Sequence, residues 1–398
     1  MKFYTAKTDA AADRMVVVDD MILTKEMPTA AGSKMLDGYM SLFDAEVVTR
    51  LQQAGYAIGG KADVGEFAID MLGETSYNGT PEADGTLVNA SAEILKEGGV
   101  TAVVGMDVNG SVRRAAAVNG LVSVKPTYGT VSRYGTIPVA CSGETVSVMA
   151  KSADECFEVL KAIAGHDDKD GTSLSEEQCA AATAQDAKVC RVAIVKSLTD
   201  GVDAQTAEKL AAAKAALSAN GVEVCEIEET KLSAARIAWN ILMSAELCNN
   251  VSRYDGVKYG YRSQNFTNID ELYTNSRTEA FGDLLKTAIL FGSDTLSTEN
   301  YMKVYDKALR MRRVIAEAFD AIFAQYDAVL APVCAKTAYT TEDVKADRYL
   351  SFTENLYTAP ASITGLPTVV AGGVQLIGKA FSEGALLAAA KLFEKEGE

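Results

Sequence analysis

The chain has 398 residues, 48% hydrophobic, 7% aromatic and 23% charged, the balance of a soluble globular protein with a large core, which excludes disorder. Its 38 basic and 54 acidic residues leave a net charge of −16 that repels a phosphate backbone, and no basic segment stands apart, so no direct nucleic-acid binding is expected. One histidine, His166, and seven scattered cysteines with no Cys-x-x-Cys spacing argue against a histidine-based zinc site and predict reduced thiols in a cytoplasmic protein without metal or cofactor. The N-terminal stretch lacks the apolar core of a signal peptide, and no apolar run is long enough to span a membrane.

In chain order, "DAEVVTRLQQAG" predicts a short helix capped by Asp44 and stopped by Gly55, feeding an apolar strand at 56–58. "KSADECFEVLKAIAGHD" has Ser152 and Glu155 at capping-box spacing. Cys156, Val159, Leu160 and Ile163 share one face and Gly165 is the stop, which predicts a helix. "CRVAIVK", "DAQTAEKLAAAKAALSANG" and "VEVCEIE" read as strand, helix and strand, with Asp203 as cap and Gly221 as stop. Residues 232–325 read as mainly helical, "YDAVLAPV" as a buried strand, and "EGALLAAAKLFEKEG" as an amphipathic closing helix. No repeat and no low-complexity linker divides the chain, so residues 1–398 read as one α/β domain with a mixed sheet between helices.

One stretch carries chemistry. "GMDVNGSVRRAAAVNG" (105–120) holds a Gly-Ser step, Gly110 and Ser111, before a small-residue run that opens a helix. By itself such a serine is more often a helix cap than a nucleophile. Arg113 and Arg114 read as salt-bridging or solvated residues rather than ligands, and His166 as a loop residue.

The longer stretch "GSVRRAAAVNGLVSVKPTYGTVSRYGTIP" (110–138) resembles the amidase signature family, and within it the glutaminase subunits of the glutamyl-tRNA(Gln)/aspartyl-tRNA(Asn) amidotransferases. "TKEMPTAAGSKML" (24–36), "GKADVGEFAID" (60–70), "AIAGHDDKDGTS" (162–173), "SRYDGVKYGYR" (252–262) and "GVQLIGKAFSEGALL" (373–387) are similar to the same glutaminases in the same order. The resemblance implies the amidase signature α/β/α fold and a Ser-cisSer-Lys triad, in which a neutral lysine takes a proton from a bridging serine and that serine takes one from the nucleophile.

Carried over residue by residue, the nucleophile position is Ser111, and the amides of Val108, Asn109 and Gly110 form the oxyanion hole. Asn109 stands where the family has glycine, so a positive φ there would be harder to adopt. The lysine position is Asp19, in "VVVDDMILTKEMPT", and the bridging-serine position is Leu87, in "GTLVNAS". A short carboxylate replaces a long amine, and leucine cannot relay a proton. In the substrate pocket the resemblance assigns Arg312 to the glutamine carboxylate, Asn355 to the position of an aspartate that holds the α-amino group, and Tyr261 or Tyr259 to a pocket tyrosine. "SGETVSV" (142–148) departs from the family's Ser-Leu-Asp-Gln-Ile-Gly-Pro.

These departures point first to an amidase-like protein whose glutaminase chemistry is lost or strongly impaired and whose role is binding or scaffolding. Its implied partners are B-like and C-like amidotransferase subunits. A second expectation is an active amide hydrolase, either a glutaminase that supplies ammonia for transamidation of Glu-tRNA(Gln) or another amidase using Ser111 with a rearranged base. A third is a sensor that holds an amino acid or small amide in the old pocket.

Overall fold

The computed structural model describes residues 3–8, 13–185 and 187–394. Thirteen strands are present among them: β1 (Tyr4–Lys7), β2 (Met15–Asp19), β3 (Ala57–Ala62), β4 (Glu82–Ala83), β5 (Thr86–Leu87), β6 (Ala102–Asp107), β7 (Val122–Lys125), β8 (Thr145–Ala150), β9 (Arg191–Val195), β10 (Glu223–Ile227), β11 (Ala328–Pro332), β12 (Thr368–Ala371) and β13 (Val374–Gly378). Eleven form one sheet in the order β1-β3-β2-β6-β8-β7-β12-β13-β11-β9-β10, and β4 with β5 makes a separate hairpin. Pairing is parallel among β3, β2 and β6 and again among β11, β9 and β10, while the strands between them are antiparallel. The central strands β6, β7, β8, β11, β12 and β13 are buried along their whole length, as strands covered on both faces must be.

The locally coded elements form as their patterns predict. The helix Ala153–Ile163 has a reciprocal capping box between Ser152 and Glu155 and buries Cys156, Val159, Leu160 and Ile163. β9, the Asp203-capped helix Ala204–Ala219 and β10 form a parallel strand–helix–strand unit with Arg191 opposite Glu223. Helices Ala235–Val251, Ile269–Ala280, Asp283–Thr295 and Asp306–Phe323 fill the predicted helical region.

Two expectations are corrected. Asp44 does not cap the helix Glu46–Gln53, whose N-cap is Ala45 without a side-chain bond; Asp44 instead accepts the Lys25 N–H at 2.8 Å and pairs with the Lys25 ammonium at 3.2 Å. The closing helix Glu383–Ala390 is buried nearly all round rather than amphipathic, because it lies between the sheet and the helix Ala153–Ile163. The end of that sequence segment, 395–397, falls outside the described residues.

The parallel trio β3-β2-β6 positions the site. Parallel strands end on the same edge of a sheet, and the loops leaving their carboxyl ends converge there. Asp19 ends β2, Asp107 ends β6, and Ser111 opens the helix Ser111–Asn119 that follows β6.

Candidate active site

The turn from β6 into the Ser111–Asn119 helix passes through Gly110, which adopts φ 91°, ψ 15°. A Cβ there would lie 2.6 Å from Thr358 Cβ, so both the left-handed backbone and the close approach of Thr358 require glycine. Asn109 is not among the described residues with left-handed φ, so the strain expected from its replacing glycine does not arise; Gly110 carries the left-handed turn alone. The Gly110 cap makes no side-chain bond, and Ser111 is the first helical residue rather than a cap.

Ser111 and Asp19 line one cavity of about 30 Å³, together with Asp70, Asn89 and Ser91. That space suits water-sized occupants. The two side chains bond to opposite ends of one residue: Met106 donates its N–H to Asp19 Oδ2 at 2.6 Å, and its carbonyl accepts the Ser111 hydroxyl at 3.1 Å. Backbone pairing between β2 and β6 ends at Val18–Val104, and the Asp19 carboxylate continues it by taking the next free amide. Its other oxygen accepts the Met21 N–H at 3.0 Å. Burial pushes the Asp19 carboxyl up to about 6, against the pull of these two amides and of Lys61.

A lysine does approach this edge, from β3. Lys61 is fully buried, donates to Thr29 Oγ1, and lies 3.9 Å from Asp20. Burial lowers it to about 8 while Asp20 and Asp19 hold it up. Asp20 itself is raised to about 7 by burial. Lys61 does not line the Ser111 cavity.

Leu87 is also outside that lining. Its N–H donates to the Tyr339 carbonyl at 2.8 Å, and its side chain is buried with Met71, Leu72, Leu95 and Tyr339 in an apolar cluster. The polar lining on this side comes instead from Asn89, which caps the helix Ala90–Glu97 by accepting the Ala92 N–H, and from Ser91 in its first turn. Burial, with Glu74 adding repulsion, raises Asp70 to about 8, and its carboxylate accepts the N–H groups of Gly73 and Thr75. Nothing in the spacing of Asp70, Asn89 and Ser91 marks them as cavity residues in the sequence, because separate segments of the fold bring them to Asp19 and Ser111.

The loop before Ser111 is stitched down on its other side. Val108 is buried in the main core. The Asn109 amide donates to the carbonyls of Ile69 and Ser351 and accepts the indole N–H of Trp239 at 3.1 Å. Trp239 in turn presses on Gly143, where a Cβ would come within 2.3 Å of the ring. Ser142, next along, gives its carbonyl to Arg312 at 2.8 Å. Asn355 is buried, accepting from Arg114 at 2.6 Å and donating to Asn240 Oδ1 at 2.7 Å. The hydroxyl of Tyr261 donates to Glu279 at 2.7 Å, and its ring carries the Lys34 ammonium at 4.0 Å. Tyr259 is exposed, with its ring edge-on to Tyr254. Arg312, Asn355 and Tyr261 do not line the cavity shared by Asp19 and Ser111; each has its polar group engaged by the chain itself.

Neither arginine after Ser111 is solvated. Arg113 is fully buried and pairs with Asp107 at 2.8 Å; burial opposes the charge on Asp107, but the guanidinium overrides it and holds the carboxyl below its ordinary range. Arg114 is equally buried, with Nη2 on Asn355 and Thr358 but no partner on Nε or Nη1. His166 lies in its loop with Asp168 and the Leu174 carbonyl, and no cluster of three or more metal-ligating side chains occurs among the described residues.

The family model described as Amidase matches residues 15–387. The chain belongs to the amidase family. Among relatives of this amidase-family chain, the A subunit of glutamyl-tRNA(Gln) amidotransferase from Streptococcus pneumoniae (strain 70585) is 35% identical over 398 residues, covering 95% of this chain and 82% of the relative. The protein of the same name from Agathobacter rectalis is 34% identical over 409 residues, 98% of this chain and 81% of the relative. The crystal structure of the same amidotransferase component from Thermotoga maritima superposes with a TM-score of 0.79 at 25% identity, covering 99% of this chain and 87% of that one. Urea amidolyase of K. lactis shares the fold at a TM-score of 0.80 and 23% identity, over 95% of this chain and 22% of its own. The chain thus resembles these amidotransferase components in sequence and carries the amidase signature fold, with its mixed sheet between helices. No helix among the described residues is long and apolar enough to cross a membrane.

Proposed function

We propose that this amidase-family chain does not hydrolyse amides through Ser111 and serves for binding or scaffolding, on a frame shared with the amidotransferase glutaminases. One observation carries the reading: the residue at the lysine position, Asp19, spends both carboxylate oxygens on the amides of Met106 and Met21, while the Ser111 hydroxyl is donated to the Met106 carbonyl. A serine without a base in reach is a weak nucleophile at neutral pH. Leu87, at the bridging position, has no proton to relay. The relatives are subunits by name, which supports B-like and C-like partner subunits for this chain as well.

The test is ammonia release from glutamine and asparagine by the full chain, alone and with the B-like and C-like subunits of the same cell. The expected result is no release above buffer and no change on Ser111→Ala, because losing members of such a unit costs several orders of magnitude. Release that Ser111→Ala abolishes overturns the reading.

A second reading, a hydrolase with Asp19 as general base, draws on the cavity that Asp19 shares with Ser111 and on a carboxyl raised to about 6, near the value a base needs at neutral pH. It requires a rate that climbs through pH 6 and is lost in Asp19→Asn. A third, an amino acid or amide sensor in the old pocket, has less support, since Arg312, Asn355 and Tyr261 are engaged within the chain.

A further inference from the structure

A pocket of about 180 Å³ opens between the end of the helix Ile269–Ala280 and the first turns of the helix Asp283–Thr295, lined by Arg277, Thr278, Phe281, Lys286, Ile289 and Leu290. It shares no lining residue with the Ser111 cavity. Two cations and three apolar side chains thus border one small space. Phe281 is buried and Leu290 is 72% exposed, so the apolar wall runs from the core out to solvent.

Arg277 is anchored by one end of its guanidinium and free at the other. Its Nη1 donates to the carbonyls of Val251 and Tyr254 at 3.0 and 2.8 Å, closing the end of the helix Ala235–Val251, and its guanidinium carbon lies 5.0 Å from the centre of the Phe281 ring. Nε and Nη2 have no hydrogen-bond partner among the described residues. Those two atoms carry the parallel N–H pair that matches the two oxygens of a carboxylate. None of the described carboxylates pairs with Arg277, although the chain has 54 acidic residues. Burial works against its charge, and Cys248 and Asp255 offset that only in part, while Asp255 accepts the N–H groups of Val257 and Lys258.

Lys286 brings a second positive charge, its ammonium 3.3 Å from both the Thr278 carbonyl and the Asp283 carboxylate. Asp283 is 77% exposed, also faces Arg348 at 3.6 Å and does not line the pocket, which leaves the interior short of negative charge. The space holds about six waters, enough for a short organic acid. We propose that this pocket binds a small carboxylic acid with a branched aliphatic body, its carboxylate on the Nε–Nη2 edge of Arg277 beside Lys286 and its alkyl group against Phe281, Ile289 and Leu290.

The test titrates the full chain with 3-methylbutanoate and with its neutral isostere 3-methylbutanamide at fixed ionic strength, followed by calorimetry and by saturation-transfer NMR on the ligand methyl groups. The acid is expected to saturate with an affinity at least about tenfold tighter than the amide. Arg277→Lys keeps the charge but loses the fork, and should weaken the acid at least about tenfold. Leu290→Asp puts a like charge at a wall position open to solvent, and should remove acid binding while leaving far-UV dichroism and the urea midpoint unchanged. No saturable binding, equal affinity for acid and amide, or parent-like acid binding by either variant overturns the proposal. So does inorganic phosphate that binds as tightly as the acid, which would make this a bare anion site in which the apolar wall has no part. Where Arg277→Lys unfolds for want of its Nη1 bonds, Leu290→Asp and the comparison of acid with amide decide. Ser111→Ala should bind the acid as the parent does, which keeps this outcome separate from that of the hydrolysis assay.

Discussion

Arg113 and Arg114 are adjacent, fully buried and chemically identical, yet their surroundings predict opposite consequences of removal. Arg113 answers the Asp107 carboxylate with three bonds from its backbone and side chain and also reaches Thr358 and Ser362. Arg113→Met strands a buried carboxylate and is expected to cost about 3–5 kcal/mol in urea unfolding. Arg114 has two donors without acceptors, so its burial already carries an uncompensated desolvation cost. Arg114→Met gives that cost back and leaves the Asn355 oxygen short of one donor; its loss should be at least about 2 kcal/mol smaller than that of Arg113→Met. Equal losses in the two variants would mean that Arg114 has a compensating partner.

At the scale of single elements, caps and turns decide how the site is aimed. The Ser152–Glu155 box satisfies orphan amides at the start of the helix Ala153–Ile163, and Ser152→Ala should lower stability by about 1 kcal/mol, read as a shift in the urea midpoint at constant slope. Gly110 matters more, because Ser111 hangs directly on its left-handed turn. Gly110→Ala meets about 1–2 kcal/mol of backbone strain. The contact with Thr358 adds to it. In a Thr358→Gly background, measured against Thr358→Gly alone, Gly110→Ala should cost only the backbone part, a split measurable by thermal unfolding. Recovery of the whole loss would show that the turn itself tolerates alanine.

For the whole molecule, the dominant electrostatic feature is a set of buried carboxyls near the β3-β2-β6 edge. Burial raises Asp19 to about 6, Asp20 and Glu66 to about 7, and Asp70 to about 8. In the unfolded chain these groups lose their protons near pH 4, whereas the folded chain keeps them to higher pH. The folded state therefore binds more protons across that interval, and its stability is greatest at the acid end and falls as pH rises toward 7. The net charge of −16 adds repulsion in the same direction. Lys61 and Lys125, lowered by burial to about 8 and about 7, reverse the trend only at higher pH. The urea midpoint is expected to be higher at pH 5 than at pH 7; a midpoint that rises between them would contradict these burial effects.

Several features with a short physical range were legible in the residues alone. The capping box at Ser152, the Asp203 cap and the strand–helix–strand run from 191 to 227 are written in residues a few positions apart, and they form as read. The order of family-like segments is likewise visible without coordinates, as are Asp19 and Leu87, the residues that the family resemblance sets at two relay positions. Tertiary structure decided the rest, because it depends on which group across the fold takes each free hydrogen bond. Asp44 spends its carboxylate on Lys25 instead of a helix end, and the closing helix loses its polar face where the sheet and a neighbouring helix cover it. Asp19 and Ser111, 92 positions apart in the chain, share a water-sized cavity only because parallel β2 and β6 end on the same edge of the sheet. Their commitment to the amide and the carbonyl of Met106 is a property of that edge, where strand pairing stops and leaves backbone groups for side chains to satisfy.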